Sequence, residues 1–436
     1  MRISVIGCGY LGAVHAAAMA ELGHDVVGVD VDEAKIALLA AGKPPFFEPG
    51  LPEILASSVA SGRLRFTTDI SAAAQADVHF VAVGTPQSAD SYAADLRFVD
   101  AAFRSLAEHI KPGDLVVGKS TVPVGTAARL AEELAVAAPG VTLVWNPEFL
   151  REGFAVQDTV APDRLVYGVP EGEAGERAAR ILDHIYASAL AAGTPVIVSD
   201  YATSELVKVA ANAFLATKIS FINAMAEIAE VTGADVTKLA DAIGHDKRIG
   251  RRFLNAGVGF GGGCLPKDIR AFTARARELG KGESIAFLDE IDKINLRRRS
   301  RVVELVTQEL GGELAGKRVA MLGLAFKPHS DDVRDSPALE VALRLVEAGA
   351  DVVATDPQAI ESARLRAPML TYKRSVEQTL RGADVVVLLT EWPEFVGLDP
   401  EQVGELVAEK RIIDGRNSLD QARWRSAGWR YTGLGR

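Results

Sequence analysis

The chain has 436 residues and a formal net charge of -10, from 48 Lys and Arg against 58 Asp and Glu, and 48% of it is hydrophobic. A single hydrophobic core stops growing at about 250–300 residues, so two or three domains are expected. The acidic balance argues against a phosphate-backbone partner, and no unbroken apolar stretch reaches the roughly 18 residues of a membrane span, so neither nucleic acid nor a membrane is an expected partner.

The first strand begins at Arg2, which leaves no room for a secretory leader. Two cysteines, Cys8 and Cys264, do not suggest a disulfide framework. A reducing cytoplasm is the expected setting, and no metal is expected. The one basic cluster, Arg297-Arg298-Arg299 with Arg301, reads as a solvated helix face or local ion pairs.

In chain order, short β-branched runs alternate with helical stretches. Arg2 to Ile6 is the first strand, and Gly7-Cys8-Gly9-Tyr10-Leu11-Gly12 follows it, ahead of an alanine-rich helix. The three glycines serve different geometries, with Gly7 making the tight turn, Gly9 letting the backbone approach a pyrophosphate, and Gly12 permitting close helix packing. The helix N-terminus then meets the phosphates. The second strand, Asp25 to Asp30, ends in an acid at the spacing expected for one that holds a ribose and repels a 2′-phosphate. NAD is therefore expected over NADP, with Lys35 pulling the other way. A glycine turn serving packing alone is the competing reading, and the placement of Asp30 argues against it.

Further strands are expected at Asp77 to Val83, Asp114 to Lys119, Val141 to Trp145 and Pro195 to Ser199. Three of their carboxyl ends lead into Gly84-Thr85-Pro86-Gln87, Ser120-Thr121-Val122-Pro123 and Asn146-Pro147-Glu148-Phe149-Leu150-Arg151-Glu152-Gly153. Open α/β sheets place ligands at such ends, and here Glu148 and Glu152 bring two carboxylates to the rim.

After Asp200 the rhythm changes. From about Ala202 to Val231 there is no proline or interior glycine, which predicts a helix ~45 Å long that bridges domains or forms an interface. Lys208 and Asn212 share one face, four residues apart, with Asn223 along nearly the same line. They interrupt an apolar surface, where buried Lys and Asn need partners. The alternative is a lysine reaching solvent beside an asparagine bonded to backbone.

Val258-Gly259-Phe260-Gly261-Gly262-Gly263-Cys264-Leu265-Pro266-Lys267-Asp268 comes next, with Pro266 suited to the first position of a helix running to about Leu279. A thiol near a helix N-terminus, with Lys267 nearby and Asp268 one turn beyond, has its thiolate favoured. Alone, a cysteine in a glycine loop is more often filler, but the surrounding polar residues point to a nucleophile. A hydride acceptor and a thiol on one chain allow an aldehyde to be captured as a thiohemiacetal and oxidised again, so the expected product is an acid.

From Lys317 the alternation resumes, with strands at Arg318 to Leu322, Asp351 to Asp356, Asp384 to Thr390 and Arg411 to Asp414. The predicted fold is α/β: two Rossmann-like doubly wound parallel-sheet domains, 1–200 and 301–436, joined by a long central helix and a helical middle domain, 201–300.

Together these segments resemble the UDP-glucose/GDP-mannose dehydrogenase family over essentially the whole chain. The motifs stand in the family's order: the glycine fingerprint, Gly-Thr-Pro, Ser-Thr-Val-Pro, Asn-Pro-Glu-Phe-Leu-x-Glu-Gly, Lys-x3-Asn, the cysteine loop, then Phe326-Lys327 and Asp331-Asp332-x-Arg334. The resemblance implies a four-electron oxidation of a sugar C6 alcohol to a carboxylate, with two NAD reduced in succession. It implies Cys264 as nucleophile, Glu148 as the residue that assists water in thioester hydrolysis, and Lys208, Asn212, Asp268 and Thr121 as holders of a water and stabilisers of oxyanions. Gly7, Gly9, Tyr10, Leu11, Gly12, Asp30, Lys35, Thr85, Pro86, Thr121, Glu152, Lys267 and Arg334 are the implied cofactor contacts.

For the sugar nucleotide the resemblance implies Glu148, Phe149, Leu150, Arg151, Glu152, Lys208, Asn212, Phe253, Leu254, Asn255, Ala256, Gly257, Gly261 and Lys327, with Arg416 toward the diphosphate. Arg248 matches an arginine that reaches a neighbouring subunit's site, so a homodimer around the long helix is expected. Phe253 to Gly257 and Asp414-Gly415-Arg416-Asn417 look most like the UDP-glucose branch, with GDP-mannose and UDP-N-acetylmannosamine as the family's other substrates. Gly263 and Leu265 depart from relatives that have Ser and an aromatic residue there, which removes no chemical group. A two-electron hydroxyacid dehydrogenase would leave Cys264 and a third domain unexplained, and a silent sugar-nucleotide sensor would be expected to lack Cys264, Lys208 or Asp268.

Overall fold

The computed structural model describes all residues from Met1 to Arg436. The chain divides into two compact units, Met1–Ala211 with Ala274–Gly280, and Asn212–Thr273 with Lys281–Arg436.

The first unit is built on eight strands: β1 (Arg2–Ile6), β2 (Asp25–Val29), β3 (Leu64–Thr67), β4 (Val78–Val81), β5 (Leu115–Gly118), β6 (Thr142–Trp145), β7 (Leu165–Gly168) and β8 (Val196–Ser199). They lie in the order β3-β2-β1-β4-β5-β6-β7-β8, so the chain reverses direction across the sheet between β1 and β4. That reversal opens a crevice at the strands' carboxyl ends, where the first loops converge. Strands β4 and β5 are buried throughout, as their unbroken apolar runs require in a sheet covered on both faces. Neighbours along β1 divide between the two faces, Val5 packing with Val14, Met19 and Phe80, and Ile6 with Val81, Val116 and Trp145. Burying side chains of this size stabilises the fold by about 1.5–3 kcal/mol each.

The sheet is not wholly parallel: β6 meets β7 antiparallel at the single pair Trp145 and Gly168, and β7 and β8 pair parallel to each other. Gly168 is needed there, because a Cβ on it would stand 2.2 Å from the Ser204 hydroxyl.

The helix Tyr201–Thr232 begins in the first unit and ends in the second. Its 32 residues, with an 18-residue window of mean hydropathy 1.3, would suffice in length and composition to cross a membrane, but 44% of that window is buried inside the protein. Glu205 is spent on internal contacts, accepting hydrogen bonds from Gly125 N at 2.8 Å and Ala127 N at 2.7 Å, at the start of the helix Thr126–Ala137. Burial raises its carboxyl above the ordinary range even so.

The second unit holds an all-parallel sheet of β9 (Arg318–Leu322), β10 (Asp351–Thr355), β11 (Thr371–Tyr372), β12 (Val385–Leu388), β13 (Arg411–Asp414) and β14 (Arg430–Gly433), in the order β11-β10-β9-β12-β13-β14. The helices Leu265–Glu278 and Phe287–Glu309 precede it. On the second of these the basic cluster is only partly solvated, with the Arg297 side chain 52% exposed. Arg298 and Arg299 are 0% and 2% exposed, with Arg298 paired to Glu227 and Glu230 and Arg299 to Asp335 and Glu340. Buried guanidinium groups persist only where carboxylates meet them, so the ion-pair reading holds for these two.

Candidate active site

The first unit carries the glycine loop. Gly7 has φ +89, a left-handed conformation that costs a β-carbon dearly, and a Cβ there would lie 2.9 Å from Val83 Cγ2. A Cβ on Gly12 would stand 1.8 Å from the Gly7 carbonyl oxygen, whereas one on Gly9 would meet nothing within 4 Å. Gly12 therefore packs the helix Tyr10–Glu21 onto the turn, and Gly9 leaves open space in front of the helix N-terminus. That open space fits a pyrophosphate. Asp30, just past β2, accepts from Cys8 N at 2.7 Å and Asp32 N at 3.0 Å, and Lys35 lies 3.1 Å from it. The acid is thus fixed beside the loop by backbone donors, where a ribose would lie, and the group as a whole fits a dinucleotide. Cys8 is buried, and its thiol is pushed well up by that burial.

Two further loops meet at the strand ends. Thr85 Oγ1 donates to the Thr121 carbonyl at 2.8 Å, and Ser120 Oγ to the Val83 carbonyl at 2.5 Å. Pro86 is exposed beside them. Past β6, Glu148 receives the Lys208 ammonium at 3.3 Å on one carboxylate oxygen and Leu150 N at 2.6 Å on the other. Phe149 lies beneath both Lys208, at 5.5 Å, and Arg164, at 3.8 Å. Arg151 is turned to Asp158, at 2.7 Å, and Glu152 is 9% exposed.

Glu48 was missed by sequence reasoning. It is 1% exposed, accepts from Gly153 N at 2.6 Å and Ala155 N at 2.7 Å, and also receives the Tyr10 hydroxyl. One carboxylate therefore ties the glycine loop to the Glu152-Gly153 segment. Burial first, and Glu48 second, hold the Tyr10 phenol far above its ordinary range. The only signal in the sequence is an acid set between Phe46-Phe47 and Pro49-Gly50.

In the second unit Cys264 is exposed, forms no disulfide, and stands immediately before the helix Leu265–Glu278, its carbonyl accepting from Asp268 N at 2.9 Å. Asp268 is 3% exposed, with one carboxylate oxygen 2.6 Å from Asn212 Nδ2 and the other 2.6 Å from Lys267 Nζ. The thiol, an amide, an ammonium and a carboxylate are thus gathered at one helix end. Arg334, paired to Asp332 at 2.7 Å, crosses the cysteine loop so closely that a Cβ on Gly263 would lie 2.4 Å from its Cζ. Gly263 is therefore matched to Arg334, which gives the departure from Ser a physical reason.

The loop leading to the cysteine is pinned from several sides. Gly257 N donates to Asn223 Oδ1 at 2.8 Å, and Phe260 N to Asn295 Oδ1 at 2.7 Å. Leu254 and Ala256 are buried, Asn255 accepts from Arg251 at 2.7 Å, and Phe253 is held at φ +66, a strained conformation for an aromatic residue. Gly257 and Gly261 have no room for a Cβ, which would lie 2.6 Å from the Gly415 carbonyl oxygen and 2.2 Å from that of Asp335. Arg416 gives its guanidinium to the carbonyls of Leu389, Gly259 and Phe326 at 2.7, 2.9 and 3.0 Å. Lys327 lies over Phe326 at 5.2 Å, and Arg248 pairs with Asp246 at 2.6 Å with its side chain 90% exposed.

Residues 1–189, 202–297 and 320–421 match, in turn, the NAD binding, central and UDP binding domains of the UDP-glucose/GDP-mannose dehydrogenase family. A UDP-glucose 6-dehydrogenase of Rhizobium meliloti is 43% identical over the full length of both chains. A solved UDP-glucose dehydrogenase from Pyrobaculum islandicum is 40% identical with TM-score 0.89, covering 100% of this chain and 97% of that one. A solved UDP-D-ManNAc dehydrogenase from Pyrococcus horikoshii is 28% identical with TM-score 0.87, covering 100% and 99%. With its glycine cradle and cysteine loop in that order, the chain belongs to the UDP-glucose/GDP-mannose dehydrogenase family and takes NAD as its cofactor.

Proposed function

We propose that the protein oxidises UDP-glucose to UDP-glucuronate, using two NAD per sugar and a covalent intermediate on Cys264. The single observation that carries this reading is the exposed thiol at the head of the helix Leu265–Glu278, one turn from an Asp268 already bonded to Asn212 and Lys267. Bound NAD supplies the hydride acceptor, twice per sugar. Asp268, through a bound water, takes the C6 hydroxyl proton as the first hydride leaves. The Cys264 thiolate then adds to the aldehyde carbon, and the resulting thiohemiacetal oxygen carries charge that Lys208, Asn212 and Thr121 offset. Loss of the C6 hydride from this oxyanion to the second NAD leaves a thioester. Glu148 accepts a proton from water, which adds to the thioester carbonyl, and the C–S bond breaks to return the thiolate and release the acid.

Gly7, Gly9, Gly12, Tyr10, Leu11, Asp30 and Lys35 hold the cofactor, with Thr85, Pro86, Glu152, Lys267 and Arg334. Phe149 to Arg151, Phe253 to Gly257, Gly261, Lys327 and Arg416 hold the sugar nucleotide. The three-part division at 1–200, 201–300 and 301–436 separates cofactor, assembly and UDP-sugar functions. Phe214, Phe221 and Ile228 recur every seven residues along the long helix at 66%, 47% and 56% exposure, with Val231 at 82%, a stripe suited to a second copy of this chain. That supports a homodimer in which Arg248 reaches the partner's site.

The relatives named for UDP-glucose, at 43% and 40% identity, favour that substrate over UDP-D-ManNAc at 28%. A panel of UDP-glucose, GDP-mannose and UDP-N-acetylmannosamine followed by NADH absorbance tests the choice. The expected result is two NADH per UDP-glucose, and one NADH, or activity with GDP-mannose alone, overturns it.

A further inference from the structure

Lys119 stands one residue past β5 and is 5% exposed. Its ammonium donates to Asn146 Oδ1 at 3.0 Å and to the Tyr186 hydroxyl at 3.4 Å, both neutral oxygens. Tyr186 donates to the same Asn146 oxygen at 2.8 Å, and Asn146 Nδ2 donates to the Val166 carbonyl at 3.0 Å. Asn146 is thereby fixed from three sides. Pro147, with its locked φ, follows it, and Glu148 comes next, so the direction of the Glu148 turn is set at Asn146.

A cation buried among neutral partners is costly, and proteins usually pair it with a carboxylate. Here burial pushes the Lys119 ammonium down to about 8, while Glu148 pulls it up and Lys208 pushes it down. The charged and titratable groups around it come from several elements: His15 on the first helix, Tyr186, Glu148, Lys208, and Arg164 with Asp163, which line the same cavity as Lys119. His15 is 1% exposed with its Nε2 unpartnered, and burial, then Lys119, keep it neutral. The ammonium therefore faces Glu148 and no acid that neutralises it directly.

We propose that Lys119 is a positioning residue for Glu148: it clamps Asn146 and Tyr186 at the root of the Glu148 turn and supplies a buried positive charge to the carboxylate that activates water against the Cys264 acyl group. This rests on the reading of Glu148 as the base in thioester hydrolysis. In that step water adds to the carbonyl, its proton passes to Glu148, and the C–S electron pair returns to sulfur. Loss of the Lys119 charge weakens the hold on ionised Glu148 and slows that step alone.

The test is Lys119→Met, followed by stopped-flow NADH absorbance and intact mass with UDP-glucose and NAD. A burst of two NADH per active site is expected, followed by a steady state slowed at least about tenfold, with the acyl adduct accumulating. Hydrolysis by the unsubstituted protein is expected to fall above a pH of about 8, and that fall is expected to vanish in the variant. Lys119→Arg, which keeps the charge, is expected to recover part of the rate. If Lys119→Met does not fold, Tyr186→Phe removes one bond to Asn146 and is expected to slow the same step about two- to fivefold. A folded Lys119→Met, or Tyr186→Phe in its place, with unchanged steady-state rate, unchanged pH profile and no adduct overturns the inference. Two NADH per sugar in the unsubstituted protein, with hydrolysis blocked in Glu148→Gln, would leave the reading of Glu148 standing in that case, whereas one NADH per sugar breaks that reading itself.

Discussion

The two sheets place an aspartate at the same point, just past the second strand, and use it differently. Asp30, after β2, accepts backbone bonds only from Cys8 and Asp32, and its remaining partner is Lys35, a side chain 26% exposed. Asp356, after β10, is filled: Leu324 N and Ala325 N reach one oxygen at 2.8 and 3.0 Å, with Trp392 Nε1 at 3.1 Å, and Gln358 N and Ala359 N reach the other at 2.9 Å. The loop after β1 has open space at Gly9, whereas a Cβ on Gly323, after β9, would lie 2.4 Å from Thr390 Cβ. One architecture thus gives a cradle with a partner still exchangeable and a turn already satisfied by its own chain. The chemistry of a site lies in its loops and not in the sheet.

That contrast can be broken by substitution. Gly12→Ala drives a methyl into the Gly7 carbonyl, and NAD affinity measured by fluorescence titration is expected to fall by about 100-fold or more. A variant that binds NAD normally would remove the close packing of the first loop from the account. Asp30→Asn is expected to weaken NAD by about 10- to 100-fold and narrow the preference over NADP, while Asp356→Asn leaves NAD affinity alone and costs stability of about 1–3 kcal/mol in denaturant titration. Equal effects of the two on NAD affinity would contradict the comparison.

Strand ends further along sharpen it. Lys119 follows β5, and the buried Asp414 ends β13, where Arg416 N, Leu419 N and the Tyr431 hydroxyl hold it at 3.0, 2.8 and 2.9 Å although burial raises its carboxyl. The Lys119 ammonium is depressed from 10.5 to about 8, so below pH 8 it is protonated in folded and unfolded chains alike and its burial cost is fully present. Between pH 8 and 10.5 the unfolded chain keeps a proton that the folded one releases, so stability rises with pH in that window. Lys119→Met is accordingly expected to be more stable at pH 7, by about 1–3 kcal/mol, and to lose that advantage as pH rises; a uniform destabilisation at every pH would contradict this. The smallest effect is expected for Arg248→Ala, with substrate KM raised by about tenfold or less and NAD affinity unchanged. Full activity in a variant confirmed as monomeric would refute the role across subunits.

What was legible in the sequence is what local geometry writes there. Gly7 and Gly12 play the separate steric parts expected of them and Gly9 has open space before it, the helix after Cys264 starts at Leu265, one residue ahead of Pro266, and the long helix runs one residue further at each end than expected. Strands β3 and β7 were passed over: Leu64–Thr67 is a short edge strand carrying Arg65, and Leu165–Gly168 is a four-residue run directly after Arg164. In the second sheet β11 and β14 are the two edge strands, one being two residues long and the other four, with Arg430 and Thr432 in the latter. Glu48 and Lys119 were invisible for a different reason, since partners far along the chain define them: Gly153 and Ala155 for one, Asn146 and Tyr186 for the other. A solvated face and ion pairs both fitted Arg298 and Arg299 in the sequence, because the carboxylates that decide between them, Glu230 and Asp335, lie on other elements.

The most direct test of the account is a mass measurement on Cys264. With Glu148→Gln quenched during turnover on UDP-glucose and NAD, peptide mapping is expected to find the sugar nucleotide acyl group on the Cys264 peptide and on no other. An unmodified peptide, together with a Cys264→Ser protein that forms acid as fast as before, would contradict it.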